Sequence, residues 1–342
     1  MKRLVALVLA LLLLTGCAAP AQEADNTQQY TATFLTLFDT VTTIIGRGES
    51  EEVFREKSQA IHDDLLYYHE RFDIYNDYDG VNNIKTINDN AGIAPVKVDK
   101  AIIELLLDCK AFYDLTNGKV NVMMGSVLHL WHEARNDGIN DPQNAKLPNM
   151  EALQEASKHC SLDTLVIDEA ASTVYISDPD ARLDVGAIAK GWATQRAAEN
   201  APEGMLLSVG GNVCATGPKL ADGTPWVIGI QDPDAADKNL HTVYVTESSV
   251  VTSGDYQRLY WVDGKAYHHI IDPETLMPGS HWRSVSVVCT DSGLADALST
   301  ALFLMDEAAG RELAEKSGAE VLWVAADGTE YQTLGFKDII RT

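Results

Sequence analysis

Hydrophobic and polar positions along this chain change period from segment to segment, and the period separates strand from helix. Residues 34–46 are β-branched and aromatic nearly throughout and predict one strand. Residues 50–71 carry apolar positions at helical spacing, with Ser50 as N-cap and Glu52 to Glu56 in the early turns. Residues 99–115 repeat that picture behind Asp99, with Ile102, Ile103, Leu106, Leu107 and Phe112 on one side. A short helix is expected over 149–160 from Asn149, and a further one over 294–305 with Asp291 or Ser292 near its cap. Strands are expected over 165–168, 173–177, 226–231, 241–246 and 284–289. Asp263-Gly264 and Asp327-Gly328 each sit between apolar runs, the short-range signature of a hairpin. Strands and helices mix without regular βαβ alternation, no Pro- or Gly-rich linker divides residues 30–342, and no internal repeat is visible. The expected fold class is therefore α+β, a single large domain of mixed sheets and packed helices.

The first segment follows different rules. Lys2 and Arg3 precede an apolar run from Leu4 to Leu14, followed by Thr15, Gly16 and Cys17. A basic start, a short apolar stretch and small residues at the cut describe an export signal. The run is about 11 residues, against the ~20 a membrane-spanning helix needs. Leu14-Thr15-Gly16-Cys17 resembles the lipobox of bacterial lipoproteins. Residues 1–16 are then a removed signal peptide, Cys17 the lipidated N-terminus, and 17–29 a flexible polar tether. The expectation is an exported protein, lipid-anchored on the outer (periplasmic or extracellular) face of the cell membrane.

Charge narrows the class of partner. The full chain has 26 Lys+Arg against 50 Asp+Glu and a formal net charge of −24; loss of Lys2 and Arg3 with the leader makes it −26. Such acidity excludes an extended nucleic-acid surface, which needs a basic stripe, but leaves room for one local anion pocket. Cys109, Cys160, Cys214 and Cys289 form no CxxC pair, so they read as core packing rather than zinc ligands. The P-loop spacing of Gly186 and Gly191 fails because Trp192 stands where Lys is required. The Asp77-Tyr78-Asp79-Gly80 calcium-loop hint fails at its first and twelfth positions, Tyr75 and Thr86.

Four segments carry candidate chemistry. In 183–192 a strand end is expected to turn through small residues into a helix, either as tight packing or as an anion-binding helix start beside Lys190. Gly210-Gly211, followed by Asn212, suits a sharp turn or close ligand contact. His268 and His269, expected on a strand, point to opposite faces, so only one enters a given pocket; near Thr252, Ser253 and Asp255 it is a candidate general base. Asp296 and Thr300 lie four apart on a helix and share a face among alanines. That all-oxygen corner suits Mg²⁺, or is a capping Asp with a back-bonded Thr.

Together these segments resemble the bacterial FAD:protein FMN transferase, or flavin transferase (ApbE), family. Residues 112–118 resemble its F-D-[VI]-T-V-G block, and 128–131 its L-W. Residues 183–191 resemble L-D-L-G-G-I-A-K-G, and 208–212 resemble V-x-x-G-G-[DN]. Residues 251–256 with 268–273 resemble T-S-G-x-Y and H-H-I-I-D-P, and 295–300 resemble A-D-A-L-[AS]-T. The chain departs at Phe38-Asp39-Thr40, where the family shows Met-Gly-Thr. It departs again at Asn117, at Ala187, and at 274–278, where x-T-G-x-P is usual and Leu276 takes the Gly position.

The resemblance implies Mg²⁺-dependent transfer of FMN from FAD to a Thr or Ser hydroxyl of an acceptor subunit in an exported or membrane redox complex, with AMP leaving. It implies Mg²⁺ ligands at the Ala187 carbonyl, Asp296 and Thr300. It implies FAD contacts at Phe38, Tyr75, Asp114, Asp184, Lys190 and Ile271, and His269 as the group that assists deprotonation. The same residues serve a Mg²⁺-dependent FAD pyrophosphatase, in which water replaces the hydroxyl. A non-catalytic flavin-binding lipoprotein and a solute-binding lipoprotein are the alternatives without catalysis.

Overall fold

The computed structural model describes residues 27–341, so the leader and Cys17 lie outside the described residues. Eight strands make one antiparallel sheet: β1 (Gln28–Phe34), β2 (Thr42–Gly48), β3 (Leu206–Val209), β4 (Asn212–Ala215), β5 (Ser249–Gly254), β6 (Ser284–Cys289), β7 (Glu320–Val324) and β8 (Glu330–Gln332). They lie side by side in chain order, a meander interrupted by insertions. The insertions hold the helices that frame the site: α1 (Glu51–Phe72), α2 (Lys100–Leu115), α3 (Gly125–Asn140), α4 (Ala189–Asn200) and α5 (Ser292–Phe303).

Both faces of the sheet are covered. Successive residues of β6 and β7 alternate between two cores, with Val287, Val321 and Trp323 on the helix side and Val288, Leu322 and Val324 on the other. The second core is closed by a ribbon of two strands, Trp226–Asp232 and Ala235–Val245. β6 is buried along its whole length, Ser284 and Ser286 included, because both faces of the sheet are covered. Helix α5 is buried nearly all round and packs on β5, β6 and α4.

The structure departs from the sequence expectations in several places. The single strand over 34–46 is two, β1 and β2, paired antiparallel across a short 3₁₀ turn, Leu37–Asp39. Strand propensity is continuous there, but Phe38 and Asp39 both take φ +52, which reverses the chain. Gln28 and Gln29, placed in the tether by their polarity, begin β1. Asp99 caps α2 by position only; its carboxylate goes to Arg71 instead of a helix N–H. No regular strand leads into α4; an isolated bridge from Arg182 to Met124 is all that pairs there. Strand pairing in the 260–267 hairpin stops at Tyr267, before both histidines. Helix α3 and the helix Glu307–Ser317 went unforeseen. Cys109, Cys214 and Cys289 are buried free thiols and Cys160 is a half-buried one, as core packing required.

Candidate active site

The centre of the site is where α4 meets α5. Gly191 lets the two helices touch: a Cβ there would fall 2.3 Å from the Ser292 carbonyl oxygen and 2.4 Å from Asp296 Cβ. The approach allows Gly191 N–H to donate to Asp296 Oδ2 at 2.8 Å. Gly191 is the third residue of α4, where a backbone N–H has no acceptor within the helix, and Asp296 supplies one. Lys190 Nζ stands 3.8 Å from the same Asp296 oxygen and donates to the Gly186 carbonyl at 3.3 Å.

Asp296 is 4 % exposed, and burial pushes its carboxyl above the usual range. Lys190, the Gly191 N–H and the Asn212 side chain oppose that shift without cancelling it. Asn212 comes from the β3–β4 turn, where Gly210 and Gly211 take φ +58 and +92. Its Nδ2 is buried with no partner at bonding distance. A buried carboxylate still short of compensation fits a hard cation with oxygen ligands. Thr300 is half-buried one turn along α5. A hydroxyl chain pins that helix to the sheet: Ser299 Oγ bonds the Asp296 carbonyl at 2.9 Å and Ser253 Oγ at 2.8 Å, and Thr252 Oγ1 meets Ser286 Oγ at 2.7 Å. Thr252 and Ser253 therefore serve the fold rather than the histidines.

The two histidines have different surroundings, although neither lies on the strand that the sequence suggested. His268 Nε2 donates to the Gly279 carbonyl at 2.8 Å, its Nδ1 accepts from Ile270 N–H at 3.2 Å, and its ring meets Phe303 edge-on. It is structural. His269 Nδ1 is buried without a partner. Burial first, then the charges of Arg258, Lys190 and Arg135, push the His269 imidazole down to about 3, so it is neutral at physiological pH. A neutral ring holds an open lone pair.

Asp184 faces the same group of charges. Its Oδ1 accepts from Gly186 N–H at 2.9 Å. Burial raises its carboxyl, against the Gly186 bond and the charges of His132, Arg258 and Lys190. Tyr75 is exposed, tilts over His132 with ring centres 5.2 Å apart, and brings its hydroxyl to His132 Nδ1 at 3.3 Å. Burial of its hydroxyl and the nearby Asp184 charge push Tyr75 up to about 12. In a chain of net charge −24, Arg135, Lys190 and Arg258 thus gather about Asp184 and His269, beside His132, whose imidazole burial and Arg135 hold below the usual range. This local reversal of sign suits a polyanion.

Other expected residues sit apart. Asp114 is exposed on the last turn of α2, and no contact joins it to the rest among the described residues. Ile271 is 6 % exposed, with its side chain in a satellite core around Trp131 and Leu276, so only its backbone is left to face a ligand. The non-glycine residues Asp39 and Leu276 stand where the resembled family has Gly, and both keep left-handed backbone, at φ +52 and +60. His132 and Arg135 were not singled out by sequence, since nothing in their spacing links them to the rest; Asn212 and Arg258 fell within candidate segments but without an assigned role.

Comparison with known proteins identifies the family. Residues 38–323 match the sequence profile of the ApbE family. The FAD:protein FMN transferase of Treponema pallidum is 33% identical over 277 residues, 75% of this chain and 75% of its own length. That of Klebsiella pneumoniae is 32% identical over 226 residues, 64% of this chain and 67% of its own. The crystal structure of the ApbE protein from Thermotoga maritima superposes with a TM-score of 0.79 at 32% identity, covering 92% of this chain and 100% of that one. The flavin transferase ApbE from Vibrio cholerae shares the fold, with a TM-score of 0.74 at 23% identity. The chain belongs to the ApbE family.

Proposed function

We propose that this protein transfers FMN from FAD to a Thr or Ser hydroxyl of an acceptor redox protein, with a divalent cation, Mg²⁺, as cofactor. The observation that carries the reading is the α4–α5 corner, where buried Asp296 faces Gly191 N–H, Lys190 and Asn212 inside a cationic patch of an acidic chain. The matched relatives are named for this reaction.

In this reading Asp296, Thr300 and the Ala187 carbonyl hold the cation. When bound, it supplies charge neutralisation at the pyrophosphate as the phosphorus–oxygen bond to AMP lengthens. The chain's residues do the rest. Lys190 neutralises phosphate charge next to Asp296. Phe38, Tyr75, Asp184 and the Ile271 backbone orient FAD, with Asp114 included by family likeness. Neutral His269 takes the proton of the incoming hydroxyl on its open lone pair as the new phosphorus–oxygen bond forms and AMP departs. Positioning of this kind and a general base each contribute orders of magnitude, with ~10²–10⁴-fold for the base.

We place the enzyme outside the cell membrane, held by a lipid on Cys17, because of the leader and lipobox-like residues. Labelling with a radioactive fatty acid in cells, lost in Cys17→Ala, tests this anchor.

The decisive assay incubates protein, FAD, Mg²⁺ and a Thr-containing acceptor domain. A fluorescent band that survives denaturing electrophoresis is the expected result. Free FMN and AMP without an adduct would establish the pyrophosphatase instead. Asp296→Asn keeps an acceptor for Gly191 N–H but removes the charge, so the folded variant should lose at least ~100-fold of its Mg²⁺-dependent activity. Full activity in that variant would overturn the metal assignment.

A further inference from the structure

The β1–β2 turn is tied to the loop after α1 by a continuous chain of hydrogen bonds. Phe38 N–H donates to His69 Nδ1 at 3.2 Å. His69 Nε2 lies 3.2 Å from the Tyr78 hydroxyl, and that hydroxyl donates to Asp73 Oδ2 at 2.8 Å. Asp73 Oδ1 in turn accepts from Tyr75 N–H at 2.6 Å and Asn76 N–H at 3.1 Å. Phe38 and His69 also meet edge-on, with ring centres 5.4 Å apart.

The donors and acceptors allow one consistent direction. Phe38 N–H can only donate, so His69 Nδ1 is unprotonated and the ring proton sits on Nε2. Nε2–H then donates to the Tyr78 oxygen, which frees the Tyr78 proton for Asp73. Asp73 remains an anion, since a bond from Asn76 Nδ2 at 2.8 Å and these hydrogen bonds together outweigh the cost of its burial. Every polar group in the chain is used, and its two ends are backbone N–H groups at Phe38 and Tyr75. Phe38 needs such a hold, because it keeps φ +52 with a bulky side chain.

We propose that His69 is a positioning residue of the flavin site: in its Nε2–H form it couples Phe38 to Tyr75 through Tyr78 and Asp73, so that both aromatic residues are held as one jaw. This rests on the reading that Phe38 and Tyr75 meet FAD. His69 itself touches the Phe38 backbone and Tyr78, and acts through them. The coupling predicts an effect on FAD capture larger than on chemistry at saturation, because the relay ends on flavin contacts and not on Asp296 or His269.

The test measures KM for FAD, kcat at saturating FAD, and thermal midpoint in full-length protein carrying His69→Leu, His69→Asn or Tyr78→Phe. Asn offers an oxygen near the place of Nδ1 but cannot reach Tyr78. Tyr78→Phe removes one oxygen, and it tests the relay even where His69→Leu fails to fold. The expected result is a ~5–10-fold rise in KM for His69→Leu and Tyr78→Phe, exceeding any fall in kcat, with part of the His69→Leu loss recovered in His69→Asn. An unchanged KM in folded Tyr78→Phe, or a fall in kcat alone, overturns the proposal. Failure of the wild-type protein to bind FAD would instead strike the functional reading on which it rests.

Discussion

Gly191 donates its backbone N–H to the carboxylate of Asp296 across the α4–α5 contact, at 2.8 Å. The bond exists only because residue 191 has no side chain, and it couples a packing requirement to a chemical one. Gly191→Ala would place a methyl 2.3 Å from the Ser292 carbonyl oxygen, which is backbone and cannot rotate aside. Separating the helices should cost about 1–3 kcal/mol in urea unfolding. It should also abolish Mg²⁺-dependent activity at temperatures where the variant is still folded. A variant of wild-type stability and activity would show that the contact is dispensable.

His269 stands unpartnered and neutral, and its removal should separate chemistry from binding. His269→Ala should lower kcat by ~10²–10⁴-fold while FAD still quenches or shifts protein fluorescence with nearly unchanged affinity. Because burial holds the ring far below ordinary histidine values, no acid limb from His269 should appear in the free protein's pH–rate profile between about pH 5 and 8. His268→Ala, which removes the bonds to Gly279 and Ile270, should instead lower the thermal midpoint.

Asp39 holds φ +52 where its family relatives, by resemblance, have Gly. Asp tolerates this region because its short polar side chain does, whereas a β-branched residue does not. Asp39→Gly should leave stability within about 1 kcal/mol of wild type, as relief of strain is offset by a freer unfolded chain. Asp39→Val should destabilise by more than about 1 kcal/mol and weaken FAD binding with it. Equal urea midpoints for the two would remove the turn from the argument.

His159 and Asp178 pair at the surface, with Nδ1 to Oδ2 at 2.7 Å. The bond to Asp178 raises His159 above 6.5, and the bond to His159 lowers Asp178 below 3.8. The histidine's contribution is full below its unfolded pKa and disappears as pH rises through the folded value. The aspartate's is present above its unfolded pKa and is lost as pH falls through the folded value. Stabilisation therefore peaks between these limits. His159→Gln should lower the stability measured by urea unfolding at about pH 5.5, by less than ~1 kcal/mol for this half-buried surface pair, and the difference should vanish near pH 9.

Much of the architecture was legible before any coordinates. Ser50 and Asn149 cap their helices with side-chain bonds, Asp291 caps α5, and the Asp327-Gly328 turn falls where expected. The pair Asp296 and Thr300 follows from helical spacing alone. These features depend on neighbours within a few residues, and a linear pattern records them directly.

What tertiary structure decided is which local features meet. Periodicity states that a face is buried but not against what, so the Gly191–Asp296 contact, across 105 positions, had no local sign. The same limit merged β1 with β2, since propensity cannot register the reversal at Phe38 and Asp39. It also left Asp99 a cap in name only, because a distant Arg71 outbids its own helix for the carboxylate. Adjacent histidines were foreseen to diverge; only packing determined that His268 would be satisfied by Gly279 and His269 left open. The cationic patch in an acidic chain arises the same way, from side chains on separate elements whose charges add only once the fold brings them together.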